Sequence, residues 1–91
     1  MKKQELLRTA LDTYGAEKQT LKTVEEIGEL LKELSKNAWG EENHAHIAEE
    51  IADVRIMLDQ MEMLHRVEYL CHGYEKAKLH RLAKRLGVEY A

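Results

Sequence analysis

The chain contains no proline, only five glycines and a single cysteine among its 91 residues. Proline and glycine are the main turn-forming residues, so their scarcity leaves little material for a fold with many turns. The sequence therefore favours a few long helices over many short strands. The one cysteine, Cys71, cannot form an internal disulfide, which is typical of a protein in a reducing compartment.

Long apolar runs are also absent. No segment approaches the roughly 20 apolar residues that a membrane-spanning helix needs. The first residues, Met-Lys-Lys-Gln-Glu, are charged from the second position onward and lack the apolar stretch of a signal peptide. We therefore expect a cytoplasmic protein that does not enter a membrane.

The charge is small in total but unevenly placed. The net charge of −3 argues against binding to a nucleic-acid polymer. Nine acidic and two basic residues lie between Glu25 and Asp53, whereas five basic and no acidic residues lie between Lys76 and Arg85. This distribution suits a bound cation together with an anionic ligand, or simply two solvated helix faces of opposite sign.

The spacing of apolar residues predicts a single all-α domain, residues 1–91, of four helices. Gly15, the pair Trp39-Gly40 and Gly87 are the expected helix ends, and Asn43 is a plausible N-cap of the third helix. The break between the third and fourth helices is weakly marked, so these two could also form one bent helix. The predicted helices span residues 3–14, 16–38, 43–64 and 68–86.

The third helix carries apolar residues on two opposite sides at 100° per residue. One arc contains Ile47, Ile51, Val54, Met57, Leu58, Met61 and Leu64, and the opposite stripe contains Ala45, Ala52, Ile56 and Met63. A helix that is apolar on two sides is packed on two sides. We therefore predict a central third helix and, because so small a chain has a small core, assembly as a homodimer or homotetramer.

Two acidic segments are the main functional signal. Glu26 and Glu29 on the second helix, and Glu50 and Asp53 on the third, are pairs of carboxylates one turn apart that can bind one ion. In an antiparallel hairpin the two pairs can meet, and an all-oxygen ligand set suits Mg²⁺ or Mn²⁺. On its own, the second helix would leave both glutamates in solvent, because they lie opposite its apolar face: Leu21, Val24, Ile27, Leu31, Leu34 and Ala38.

Glu50 strengthens the metal interpretation. It falls inside the apolar arc of the third helix, where an ionised carboxylate is costly unless it is paired or coordinated. Coordination of a cation explains its position. A structural salt bridge to Lys32 or Arg55 is the competing explanation.

The order of these acids resembles a known family. Glu25-Glu26-x-x-Glu29, followed after 20 residues by Glu50-x-x-Asp53, is similar to the signature of the MazG-like all-α nucleotide pyrophosphohydrolases. The resemblance covers residues 19–81 and implies a four-helix MazG-like bundle whose central hairpin carries the metal site. The implied ligands are Glu26, Glu29, Glu50 and Asp53, with Glu25 behind them or assisting the attacking water.

The resemblance also implies an activity. Members of this superfamily hydrolyse a nucleoside triphosphate to a monophosphate and pyrophosphate with Mg²⁺, often to remove unwanted nucleotides. The alternatives are an enzyme of the same fold acting on phosphoribosyl-ATP or dUTP, and a non-catalytic helical interaction module.

Four further residues are candidates for substrate binding. Lys78 and Arg81 share one side of the fourth helix, and the resemblance suggests that such residues reach the phosphates; a solvated basic face is the alternative. Trp39 either stacks on a base or anchors the loop between the acidic helices. Lys32, one turn beyond Glu29, is the next phosphate candidate.

Overall fold

The computed structural model describes residues 1–91 as four α-helices with no strand. The predicted all-α class is confirmed, and only the bounds of α3 differ from the prediction, by one residue at each end. None of the helices combines the length and apolar character that crossing a bilayer requires. The helices are α1 (Lys3–Tyr14), α2 (Ala16–Ala38), α3 (His44–His65) and α4 (Glu68–Leu86).

The joint between α3 and α4 is sharper than the sequence suggested. Arg66 follows α3 in the left-handed region, with φ 55° and ψ 46°, and its amide donates back to Glu62 and Met63. A left-handed residue ends the helical hydrogen-bond ladder. The alternative of one bent helix is therefore wrong.

α3 is central, as predicted, and is the only helix that contacts all three others. It pairs with α2 as a helical hairpin, and α1 lies across one side of this hairpin. Leu7 and Leu11 of α1 pack against Met63 of α3, and Lys3 Nζ lies 2.9 Å from Asp59 Oδ2. The second apolar stripe of α3 is therefore covered in part by the chain itself, because α1 packs on Met63.

α2 turns a polar face, not its apolar one, towards α3. Gln19 and Thr23 are buried in the hairpin, and the side chain of Glu26 is only 12% exposed. The expectation that Glu26 lies in solvent is wrong because the hairpin covers the polar side of α2; Glu29 is exposed as expected. The large apolar residues of the other face remain exposed: Leu21, Val24, Ile27, Leu31 and Leu34.

α4 packs on little else in the chain. It contacts α3 alone, and every residue in it is exposed except Ala83. The C-terminal residues fold back along its last turns: the Val88 amide donates to the Ala83 carbonyl at 3.0 Å, and the Tyr90 ring meets His80 edge-on.

Candidate metal centre

A buried hydrogen bond sets the register of the α2–α3 hairpin. Gln19 Nε2 donates to Gln60 Oε1 at 2.7 Å. Seven residues are close to two helical turns, so moving seven residues along each helix from this pair gives the next matching pair. That pair is Glu26 and Asp53. The glutamine contact thus brings the acids of the two helices to the same level.

The other end of the hairpin is fixed by Asn43. Its Nδ2 donates to Glu33 Oε2 at 2.6 Å and to the Glu33 carbonyl at 2.9 Å. Asn43 occupies the predicted N-cap position of α3, but its side chain makes no capping hydrogen bond. Its role is instead to tie the start of α3 to α2. The same hydrogen bond holds the pKa of Glu33 below its ordinary value.

Three of the four predicted metal ligands converge between these two anchors. Glu26, Glu50 and Asp53 each offer one carboxylate oxygen, and these oxygens lie within 4.8 Å of one another. All three residues are half-buried. Glu29 is not part of this group; it is exposed one turn further along α2, on the same side as Glu26.

Glu50 has no protein partner for its buried oxygen. Glu50 Oε2 is shielded from solvent and accepts no hydrogen bond, and no lysine or arginine forms a salt bridge with this carboxylate. The competing explanation from the sequence, an ion pair with Lys32 or Arg55, is therefore wrong. A buried carboxylate oxygen without a donor or cation is costly, so the site favours a cationic ligand.

The electrostatics of the cluster point the same way. Burial raises the pKa of Glu50 above its ordinary value, and the negative charges of Asp53, Glu26 and Glu29 raise it further. Burial also raises the pKa of Asp53, followed by the charge of Glu26. Both shifts mean that the protein alone compensates poorly for the negative charge gathered here.

Lys22 is a member of this site that the sequence reasoning missed. Its Nζ lies 3.1 Å from Glu26 Oε1 and 3.8 Å from Glu25 Oε1. The hydrogen bond to Glu26 and the charges of Glu25 and Glu26 raise the pKa of Lys22. The signal was present in the sequence, because lysine followed four residues later by glutamate is a common helical ion pair.

None of the predicted substrate-binding residues forms an ion pair with the carboxylates. Lys32 is exposed and forms no salt bridge, and Trp39 is 90% exposed, so the loop-anchor interpretation of Trp39 is wrong. Trp39 stands ten residues after Glu29, about 15 Å along the helix axis. Lys78 and Arg81 belong to α4, which has no packing contact with α2.

The residues present fit a hard divalent cation. Mg²⁺ and Mn²⁺ prefer carboxylate oxygens, and Mg²⁺ usually keeps several waters alongside a few protein ligands. Three half-buried carboxylates from two helices, one with an unpaired oxygen, supply such a partial ligand set. Three neighbouring acids also occur without any ion, so the unpaired oxygen of Glu50 is the more specific observation.

Comparisons of the chain with models of protein families, with curated proteins and with solved structures found no match.

Proposed function

We propose that this protein is a Mg²⁺-dependent nucleoside triphosphate pyrophosphohydrolase that converts a (d)NTP and water to a (d)NMP and pyrophosphate. Removal of unwanted nucleotides is the role that fits a resemblance to the MazG-like enzymes. One observation carries the proposal: Glu26, Glu50 and Asp53 meet across the α2–α3 hairpin, and Glu50 keeps a buried oxygen without a partner.

The protein residues have distinct roles in this proposal. Glu26, Glu50 and Asp53 would hold the ion, either Mg²⁺ or Mn²⁺, and Glu29 would join them after a change of rotamer. When bound, the ion supplies charge neutralisation of the phosphates and activation of the attacking water. Glu25 shares Lys22 with Glu26 and so positions that ammonium group beside the carboxylates.

Phosphate binding requires positive charge near these acids. Lys22 already lies within 3.1 Å of a ligand carboxylate, so it is the nearest candidate. Lys78 and Arg81 of α4, and Lys32 of α2, remain part of the proposal as further phosphate contacts. Trp39, which is almost fully exposed, is the proposed aromatic platform for a nucleotide base.

The proposal includes a homodimer or homotetramer in the cytoplasm. Only ten residues of the chain are buried, and no side chain is fully buried, which is little for an independent core. The single, exposed Cys71 suits a reducing compartment.

A pyrophosphate-release screen tests the proposed activity. Normal and damaged nucleoside triphosphates, dUTP and phosphoribosyl-ATP are each incubated with the protein and Mg²⁺ or Mn²⁺. We expect metal-dependent pyrophosphate release from at least one substrate, and its identity separates the enzymes of this fold.

Glu50→Gln and Glu17→Gln form a matched pair for this assay. Both remove one carboxylate, but Glu17 is exposed at the start of α2, more than two turns from Glu26. Glu50→Gln should lower turnover by at least about a hundredfold, as expected for the loss of a metal ligand. A protein without turnover on any substrate, and without Mg²⁺ or Mn²⁺ affinity by calorimetry, is instead a helical interaction module.

A further inference from the structure

All the exposed large aliphatic residues of α2 and α3 except Ile56 lie on one side of the hairpin. On α2 they are Leu21, Val24, Ile27, Leu31 and Leu34. Thr23, Glu26 and Leu30 mark the side of α2 that faces α3. On the helical wheel of α2, the exposed apolar residues are centred about 100° from that side. No charged residue lies in this sector of the α2 wheel between Thr20 and Ala38.

α3 continues the same surface. Ile51 and Leu58 are exposed and lie about 100° from Met57, which points towards α2. On both wheels the exposed apolar residues are reached by turning in the same sense from the side that faces the other helix. Because α2 and α3 are antiparallel, turning in the same sense leads to the same side of the hairpin. Ile51 and Leu58 of α3 and the exposed apolar residues of α2 therefore form one surface, here termed the hairpin apolar face.

α1 lies on the opposite side. α1 covers Met63 of α3. On the α3 wheel, Met63 lies on the other side of the α2-facing direction from Ile51 and Leu58. Glu26, Asp53 and the exposed Glu29 are displaced in that same sense, so the open side of the carboxylate cluster also faces away from the hairpin apolar face. The residues of this face remain exposed, and at its α3 end Leu58 shares an open cavity with Val67 and Cys71 at the start of α4.

The chain exposes far more surface than a compact monomer of its mass. Folded monomers of 10.6 kDa expose about 5,500 Å², whereas this chain exposes 7535 Å², an excess of about 2,000 Å². Its radius of gyration is 16.2 Å, against about 12 Å for a compact chain of this length. Obligate homodimers commonly bury about 2,000–5,000 Å² in total, which is about 1,000–2,500 Å² on each protomer. The excess surface of this chain falls within that range.

We infer that the hairpin apolar face is the interface between two copies of this chain. A two-fold interface places the same surface against itself, which like charges would oppose and the uncharged α2 part of this face allows. The two carboxylate clusters would then face outward, on opposite sides of the dimer. This inference specifies the surface of the oligomer included in the proposed function, and it does not depend on catalysis.

Light scattering on the 91-residue chain at about 50 µM tests the inference. We expect a particle of at least twice the 10.6 kDa chain mass. Leu58→Glu should give monomers, whereas Ile56→Glu should not, although both residues are on α3 and their exposed fractions are 45% and 44%. Ile56 points to the side of α1, so this pair compares the two sides of one helix.

A second pair of variants tests the α2 part of the interface in the same way. Leu31→Glu should also give monomers, and Leu6→Glu on α1, a leucine of similar exposure, should leave the dimer intact. If circular dichroism shows that Leu31→Glu has lost helix, Leu31→Ala replaces it. The dimer dissociation constant of Leu31→Ala should rise at least about tenfold, because a central apolar contact is lost from both copies.

Three results would overturn the inference: a monomeric wild type, a dimer that survives Leu58→Glu and Leu31→Glu, or dissociation by Ile56→Glu alone. Pyrophosphate release is measured on the same samples. A dimer without turnover leaves this interface standing and removes the proposed enzyme, and a monomer with turnover does the reverse.

Discussion

Gln19 and Gln60 form the one buried hydrogen bond between side chains of α2 and α3 in the half of the hairpin nearer α1. The pair lies two turns from the level at which Glu26 and Asp53 meet. A polar contact inside a hairpin has only one register in which both partners are satisfied, whereas apolar contacts tolerate several. The glutamine pair therefore links the alignment of the helices to the assembly of the carboxylate cluster.

The first prediction concerns this pair. Gln19→Leu or Gln60→Leu alone should lower the free energy of unfolding by about 1–3 kcal/mol, because each leaves a buried amide unsatisfied. The double variant should be close to wild type in stability, since both polar groups are removed together. Urea denaturation of all four proteins measures the coupling; additive losses would mean that the two side chains act independently.

The pH dependence of the metal-free protein follows from Glu50. Its pKa in the folded state is raised above the ordinary value of 4.5, so its favourable contribution to stability is present below that pH. This contribution is lost as the pH rises through the folded-state pKa. Glu50→Gln, which stays uncharged, should therefore be more stable than wild type at pH 7, with a difference that shrinks towards pH 4.

Urea denaturation at the two pH values checks this expectation, with Glu17→Gln as the exposed control. Comparing variants also cancels the contribution of Glu33, whose lowered pKa has the opposite sign. Added Mg²⁺ should stabilise the wild type at pH 7 and have little effect on Glu50→Gln. An equal difference between wild type and Glu50→Gln at pH 4 and pH 7 would contradict the electrostatic explanation.

Lys22 provides a prediction of opposite sign. Its ammonium group forms an ion pair with Glu26 and repels a divalent ion. Lys22→Met should therefore raise the Mg²⁺ affinity of the free protein. Lys22 is half exposed in this ion pair. An ion pair with a half-exposed lysine is worth about 1 kcal/mol, which corresponds to an increase of about fivefold. Calorimetric titration measures the change, and Lys18→Met, one turn earlier on the exposed side of α2, is the control.

Nucleotide binding should respond differently to the same substitution. If Lys22 contacts phosphates, Lys22→Met raises KM while Mg²⁺ affinity also rises. A variant with improved metal binding and an unchanged KM would remove Lys22 from the phosphate site.

Lys78 and Arg81 are tested on the helix that carries them. If they bind phosphates, Lys78→Ala or Arg81→Ala should lower kcat/KM by roughly ten- to a hundredfold, because a charge-assisted contact is worth ~1.5–3 kcal/mol. Mg²⁺ affinity should stay near wild type. Lys76→Ala is the control, since Lys76 lies on another side of α4; Lys3 is unsuitable because it pairs with Asp59.

If Lys78→Ala and Arg81→Ala change kcat/KM no more than Lys76→Ala does, the basic side of α4 is only a solvated surface. The phosphate contacts would then come from α2, where Lys22 and Lys32 are the residues to examine.

The helices were predictable because each depends on local pattern. Gly15, Gly87 and the apolar spacing mark helix ends in the chain itself, and the observed bounds follow them. The meeting of Glu26 with Glu50 and Asp53 was predictable only by comparing two segments. Wheel analysis of α2 alone gave the wrong answer for Glu26, because it assumed that the apolar face of a helix packs within its own chain.

The ion pairing around the acidic residues could not be predicted from the sequence, for a physical reason. Lys22 and Glu50 are both charged residues near acidic partners, and no local pattern shows that one is paired and the other is not. Their difference arises from rotamers fixed by the hairpin: Lys22 reaches Glu26, whereas no cation reaches Glu50. The direction of α4 was equally hidden, since it depends on the backbone of Arg66.

Arg66 and Val67 alone connect α4 to α3, so small changes in their backbone angles would move the far end of α4 by a large distance. α4 has 19 residues and is therefore about 28 Å long, so a turn of about 10° at its base displaces its far end by about 5 Å. Because α4 packs on α3 alone, the backbone angles of Arg66 and Val67, the two residues between α3 and α4, are the main determinant of where that end lies. The positions of the basic side chains on α4 therefore depend on two residues that precede the helix.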